Sequence, residues 1–190
     1  IKSSLINSKV KFLVTGCAGF IGSNLVDNLL SLNYEVIGID NFSTGKNFFL
    51  KEALKNKDFT LINSDLNQID QHKASLKGID LVYHLAANAD VRFGFDHPFK
   101  DLNENTINTL KLLEVMRLLD IKNIIFSSTG AVYGDAKVIP TKEDYSFPIQ
   151  TSLYATSKVA AEGLISSYCE RYKFNACLLY TSPSPRDMPR

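Results

Sequence analysis

The chain has 190 residues, 45% of them hydrophobic, and a formal net charge of +1. That length holds one domain with a sizeable core, or a large piece of something bigger. The near-neutral balance gives no electrostatic case for nucleic acid or an anionic membrane as partner, and apolar runs such as NIIF and FLV fall far short of the roughly 18 residues a membrane helix needs.

In chain order, short apolar runs bounded by turn residues alternate with longer amphipathic stretches, which is the pattern of βαβ units on a parallel sheet and predicts an α/β fold. Strands are expected at 11–15, 35–39, 59–63, 80–86, 123–128 and 176–180, with helices near 20–32, 67–77, 99–119 and 152–172. Within the third helix Leu102, Ile107, Leu110, Leu113, Met116 and Leu119 lie close to helical spacing and are expected on one face. Cys17, Cys169 and Cys177 have no metal-type spacing and form no even disulfide set, which points to a reducing, cytoplasmic setting and to no metal site. The opening IKSSLINSKVKFLVTG lacks the uninterrupted apolar core of a signal peptide.

The first strand runs into TGCAGFIGSNL, where Gly16, Gly19 and Gly22 are spaced as GxxGxxG. Glycines at such a turn let a pyrophosphate approach the main chain and let the helix pack on the strand. The unpaired N–H groups of the helix start then meet the phosphates. A helix-packing turn uses the same letters, so the second strand matters: it ends at Asp40, 18 residues beyond Gly22, near the distance at which an acidic residue reaches the adenosine ribose. Asp40 has the alternative role of a turn former in DNFSTG, but together with the glycines it predicts a dinucleotide site. A carboxylate there accepts from a ribose diol and repels a 2′-phosphate, which favours NAD over NADP.

Two stretches place Tyr and Lys four apart. Tyr133 and Lys137 are separated by Gly134 and run into VIP, so their spacing reads as coincidence. Tyr154 and Lys158 lie near the start of the long last helix, after Pro148 and the candidate N-caps Thr151 and Ser152. Residues i and i+4 share a helix face. A free Tyr has a pKa near 10, and a nearby ammonium favours the phenolate, so Tyr154 is expected to be lowered by Lys158 and to serve as a general base. A third partner is expected from the end of the fifth strand, where Ser127, Ser128 and Thr129 follow. Satisfying backbone groups at the strand end is the alternative for these hydroxyls.

TGCAGFIGSNL, DNFSTG, HLAANADV, SSTGAVYGD and YATSK, in this order, resemble the extended short-chain dehydrogenase/reductase superfamily. Within it they look most like NAD-dependent nucleotide-sugar epimerases of the UDP-glucose 4-epimerase type, and the match covers about residues 10–176. The resemblance implies a Rossmann-like, doubly wound parallel sheet. It implies that Thr129 hydrogen-bonds the sugar 4-hydroxyl, that Tyr154 takes its proton while hydride passes to NAD, and that Lys158 holds the nicotinamide ribose. It places Phe20 and Ile21 at the pyrophosphate, Asn41, Ser43 and Thr44 around the ribose, and Asp65 and Leu66 at the adenine. Leu85, Ala86, Ala87, Asn105 and Ser127 line the rest of the cofactor site on that reading. A homodimer through helices 99–119 and 152–172 is also implied, with burial of their apolar faces on the sheet as the alternative. Related dehydratases carry an Asp-Glu pair just after the Thr, and related decarboxylases a Glu at the second position. Here Gly130 and Ala131 stand there, which disfavours both. A reductase or other product remains a second enzyme reading. A catalytically silent NAD-binding module is a third, disfavoured because such relatives typically lose the Tyr or the Lys.

In the resembled family an Arg, an Asn and a Gly-Pro loop follow the last strand, whereas this chain has CLLYTSPSPRD. One frame of a common transposon-end sequencing adapter translates to those eleven residues. The expectation is that native sequence ends near Ala176, that 177–190 is adapter-derived, and that the substrate domain is missing. The open start at Ile1 fits a fragment. The alternative is a genuine Pro-rich linker.

Overall fold

The computed structural model describes residues 9–145 and 148–180. Six parallel strands form one sheet: β1 (Lys11–Thr15), β2 (Glu35–Asp40), β3 (Phe59–Asn63), β4 (Leu81–His84), β5 (Asn123–Ser127) and β6 (Asn175–Leu179). Their order is β3-β2-β1-β4-β5-β6. The chain therefore winds outward from β1 in one direction, then returns to the other side of β1 with β4, the doubly wound order expected. The switch between β1 and β4, where Thr15 is paired with His84, opens a crevice at the carboxyl edge of the sheet.

Side chains alternate across the sheet. Phe12 and Val14 of β1 pack with Val26, Leu29 and Leu30 of α1 (Phe20–Ser31) on one face. Leu13 points the other way, into a core shared with Leu112, Leu113 and Met116 of α4 (Asn108–Leu118) and Ile165 of α5 (Leu153–Tyr172). Helices on both faces explain why the central strands are continuously apolar. α5 starts where Ser152 caps it, its hydroxyl accepting from the Ala155 N–H at 3.1 Å, and ends at Lys173 in the left-handed region, φ 58°, which turns the chain into β6.

Two expected helices differ. The stretch 67–77 was expected to be α-helical and instead forms a 3-10 segment, Leu66–His72, started by Asp65 accepting from the Asn67 N–H at 2.9 Å. Its buried residues Leu66 and Ile69 are three apart, the spacing at which a 3-10 turn stacks side chains. The 99–119 helix is present, but as α3 (Pro98–Asp101), a π-helical stretch Leu102–Ile107, and α4, preceded by the short α2 (Phe93–Asp96). The wider turn rotates the face that was expected to be apolar throughout. Leu102 and Ile107 are exposed, while Asn105, Asn108 and Thr109 face the interior. The apolar residues Leu113 and Met116 of α4 and Ala161 and Ile165 of α5 belong to the core on the sheet.

β6 pairs with β5 in register, from Asn123 opposite Asn175 to Ser127 opposite Leu179, so Cys177 to Leu179 complete a strand. Of the tail read as adapter-derived, residues 181–190 lie outside the described residues. Among the described residues no helix is long and apolar enough to cross a membrane.

Candidate active site

The crevice at the switch point is a cleft of about 370 Å³. Gly16 forms its floor with φ +70°, and a Cβ there would sit 2.8 Å from the Ala86 nitrogen. At Gly22 a Cβ would run into the Gly16 carbonyl oxygen and lie 2.9 Å from the Cys17 Cα. Only glycine permits this approach of helix to strand. α1 begins at Gly19 without a side-chain cap, so its first-turn N–H groups have no partner inside the helix and open on the cleft.

Asp40 ends β2 against this loop. Its Oδ2 accepts from the Ala18 N–H and its Oδ1 from the Phe42 N–H, both at 2.8 Å. The carboxylate thus tethers the glycine loop to the second strand while lining the cleft. Cys17, buried behind the loop beside this negative charge, has its thiol pushed up to about 12 by burial first and by Asp40 second, and is inert.

Of the residues expected to hold a dinucleotide, Gly16, Gly19, Phe20, Ile21, Gly22, Asp40, Asn41, Ser43, Thr44, Leu66, Leu85, Ala86, Ala87 and Ser127 line the cleft. Asp65, Asn105, Tyr154 and Lys158 do not. Asp65 stands behind the lining and receives the Asn41 amide at 2.7 Å. Asn105 is 1% exposed and donates to Ser157 Oγ at 2.9 Å. Sequence reasoning missed Ile39, Ser64 and Ala89, Gly45 at the end of DNFSTG, and Glu104 and Asn108 in and just after the π-helical stretch.

The candidate catalytic side chains meet at the end of β5. Thr129 begins a 3-10 turn, Gly130–Tyr133, its Oγ1 accepting from the Ala131 N–H at 3.2 Å. The same hydroxyl is near enough to the Tyr154 phenol to favour its ionised form. Lys158 is 1% exposed. Its Nζ donates to the Ser127 carbonyl at 2.8 Å and lies 4.6 Å from the centre of the Phe126 ring. Burial lowers this ammonium to about 8, with Glu162 acting in the opposite direction. One turn on, Glu162 also accepts from the Ser128 hydroxyl. Tyr133 lies in the 3-10 turn and Lys137 outside any helix, so that pair shares no helical face.

The Tyr154 phenol is raised in this structure, against the expected lowering by Lys158. Burial raises it first, the Thr129 hydroxyl lowers it, and the buried charge of Asp101 raises it again. Lys158 is turned onto the Ser127 carbonyl and the Phe126 ring, and does not dominate the phenol's surroundings.

The chain matches the family described as NAD dependent epimerase/dehydratase over residues 12–183. It is 39% identical over 171 residues to a putative UDP-glucose 4-epimerase of Methanocaldococcus jannaschii, covering 88% of this chain and 53% of that protein. Among solved structures, a UDP-N-acetylglucosamine 4-epimerase from Methanobrevibacter ruminantium superposes with a TM-score of 0.85 at 36% identity, covering 91% of this chain and 55% of the other. A UDP-glucose 4-epimerase of Thermus thermophilus in complex with NAD gives 0.80 at 33% identity, covering 90% and 54%. The chain therefore spans about half the length of the relatives it matches.

Proposed function

Because this chain belongs to the NAD dependent epimerase/dehydratase family, we propose that its cleft binds NAD and that a polypeptide of the relatives' length built on it is a nucleotide-sugar 4-epimerase of the UDP-glucose/UDP-galactose type. The observation that carries the proposal is the meeting, at the end of β5, of Ser127, which lines the cleft and receives Lys158, with Thr129, whose hydroxyl acts on the Tyr154 phenol.

The cleft fits the cofactor on its own geometry. The glycine floor leaves no room for a side chain, the α1 amides suit a pyrophosphate, and Asp40 suits a ribose diol. Bound NAD supplies a two-electron acceptor for the sugar carbon. Thr129 orients the sugar 4-hydroxyl, and Tyr154 Oη takes the hydroxyl proton as the carbon is oxidised to a 4-keto sugar. Once the sugar has turned its other face, Tyr154 returns that proton to the epimeric alcohol, so the cycle consumes no net proton or electron. Lys158, whose Nζ is held by the carbonyl of the cleft-lining Ser127, is the residue that would reach the ribose. Nothing more is asked of the site, and Gly130 and Ala131 add no acid or base after Thr129. We also propose pairing of two copies through α3–α4 and α5, on which Ile107 and Val159 are exposed.

The test uses a protein of the relatives' length with bound NAD, mixed with UDP-, GDP- and dTDP-sugars while NADH absorbance is followed. Transient NADH with UDP-glucose and UDP-galactose is expected; UDP-N-acetylglucosamine, the substrate named for the Methanobrevibacter enzyme, is the second candidate. No signal with any sugar would identify a silent binding module and overturn the proposal. The 190-residue chain is expected to bind NAD weakly without turnover, and enzyme-like interconversion of the two sugars by it would refute that expectation.

A further inference from the structure

Beneath the cleft, hydroxyl and amide side chains form a closed hydrogen-bond path whose directions can be assigned. His84 is fully buried between Thr15, whose Oγ1 lies 2.8 Å from Nδ1, and Thr109, whose Oγ1 lies 2.9 Å from Nε2. The Thr109 hydroxyl donates to the Asn105 carbonyl at 2.6 Å. Its single hydrogen is spent there, so toward His84 it is an acceptor and Nε2 must carry the proton. Nδ1 is then bare and receives the Thr15 hydroxyl, while the two lone pairs of Thr15 Oγ1 take the Ala86 N–H and the Leu85 N–H, each at 3.2 Å, the latter shared with the Thr15 carbonyl at 3.3 Å. Every donor and acceptor is used. The other tautomer leaves the Thr15 hydrogen without an acceptor and makes the Thr109 hydroxyl either give up the Asn105 carbonyl or leave Nε2 unpaired, which is costly in a buried site.

The path continues to the catalytic helix. Asn105 donates to Ser157 Oγ at 2.9 Å, and the Ser157 hydroxyl donates to the Tyr154 carbonyl at 2.7 Å. At its other end Thr15 directly precedes Gly16, and the Leu85 and Ala86 amides it holds belong to residues that line the cleft.

We propose that His84, fixed as the neutral Nε2–H tautomer, is a positioning residue that sets the glycine loop and the Leu85–Ala86 segment against the helix carrying Tyr154. It touches neither cofactor nor substrate. Its role deepens the dinucleotide reading of the cleft and, in its final arm below, rests on that reading.

The experiment uses the full 190-residue chain labelled with nitrogen-15 at its three histidines. Histidine nitrogen spectra are expected to show one residue, lost in His84→Gln, with Nε2 protonated and Nδ1 bare at neutral pH. A protonated Nδ1, or averaging between tautomers, overturns the proposal. Thr109→Val, near-isosteric and outside the cleft lining, removes the acceptor. It is expected to average the His84 signals and to speed exchange of the Leu85 and Ala86 amides about tenfold, although it contacts neither. His84→Gln places an amide near the Nε2 position and is expected to keep the Thr109 side while the Leu85 and Ala86 amides still loosen. Unchanged exchange in folded Thr109→Val and His84→Gln chains overturns the proposal. In the final arm, NADH binding is expected to weaken several-fold in Thr109→Val. Full retention of affinity overturns the positioning role, whereas a wild-type chain blind to NADH overturns the dinucleotide reading and leaves the positioning role to be decided by the tautomer and the amides.

Discussion

Replacing Asp40 with Asn isolates what this carboxylate does before any ligand arrives. Asp40 is 9% exposed and accepts two main-chain N–H groups, one on each oxygen, both at 2.8 Å. An Asn side chain offers one acceptor oxygen. Whichever way it turns, either Ala18 N–H or Phe42 N–H must face an NH2 group. If the amide oxygen turns to Phe42, the fully buried Ala18 N–H is left where water cannot reach it; if it turns to Ala18, the half-buried Phe42 N–H is left against the NH2 group. An unsatisfied buried donor costs about 1–3 kcal/mol, with a charged acceptor toward the upper end. For a domain of this size each kcal/mol moves the melting midpoint by roughly 2–4 °C. Thermal unfolding of the ligand-free chain, followed by circular dichroism, should therefore fall by roughly 2–12 °C in Asp40→Asn. Because Ala18 sits inside the glycine loop, NADH affinity should drop by about tenfold or more, equivalent to 1.4 kcal/mol, and the preference for NADH over NADPH should narrow as the carboxylate's repulsion of a 2′-phosphate is lost. A variant that melts within about 1 °C of the parent would show that Asp40 does not hold the loop, and the reasoning from these two bonds would fail.

Four further substitutions test other parts of the site. Gly22→Ala puts a Cβ into the Gly16 carbonyl and 2.9 Å from the Cys17 Cα, so it should destabilise the chain by about 1–3 kcal/mol and abolish NADH binding by fluorescence titration; retained affinity would contradict the assigned contact. Lys158→Met removes a buried ammonium whose pKa falls from 10.5 to about 8. Between those values the unfolded chain binds the extra proton, so the parent should gain stability relative to Lys158→Met as pH rises from about 8 to 10.5, on the order of 3 kcal/mol, and urea unfolding at pH values on either side of that window reads the difference. Thr129→Val should raise the Tyr154 phenol further, and Asp101→Asn should lower it; the near-ultraviolet absorbance titration, taken as a difference from Tyr154→Phe, gives both directions, and shifts of the opposite sign would refute the stated causes.

The parts of the fold legible in the sequence were those written in short local patterns. Val36, Ile37 and Ile39 must bury on both faces of a sheet, which an apolar run reports directly, and Gly16 to Asp40 are placed by one strand–turn–helix–strand unit. Glu104 and Asn108 lie four apart, a helical spacing, but polar residues so placed read as a solvated face until the folded chain brings that face to the cleft. His84 was passed over because one buried histidine carries no signal until Thr15 and Thr109, far apart in sequence, are brought to its two nitrogens. The Tyr154 phenol was misjudged for a similar reason. Its spacing from Lys158 fixes a shared helix face, but the direction in which the ammonium points is decided by the Ser127 carbonyl.

These protonation states depend on one another. His84 is held neutral, its imidazole lowered to about 3 by burial first and by the Lys158 charge second. A proton on His84 would place a second cation in the same buried layer, and Lys158, already lowered to about 8 by burial, would give up its own more readily. The burial that keeps His84 neutral thereby spares Lys158 a second cation beside it. Burial meanwhile holds the proton on Tyr154. The resting arrangement is thus a phenol and an ammonium rather than a preformed phenolate, and on the proposed mechanism the base is made only when a ligand in the cleft changes the phenol's surroundings. In the ligand-free protein the alkaline limit of that arrangement is set by Lys158, which loses its charge near 8, before the Tyr154 phenol, raised above its ordinary value of 10, ionises.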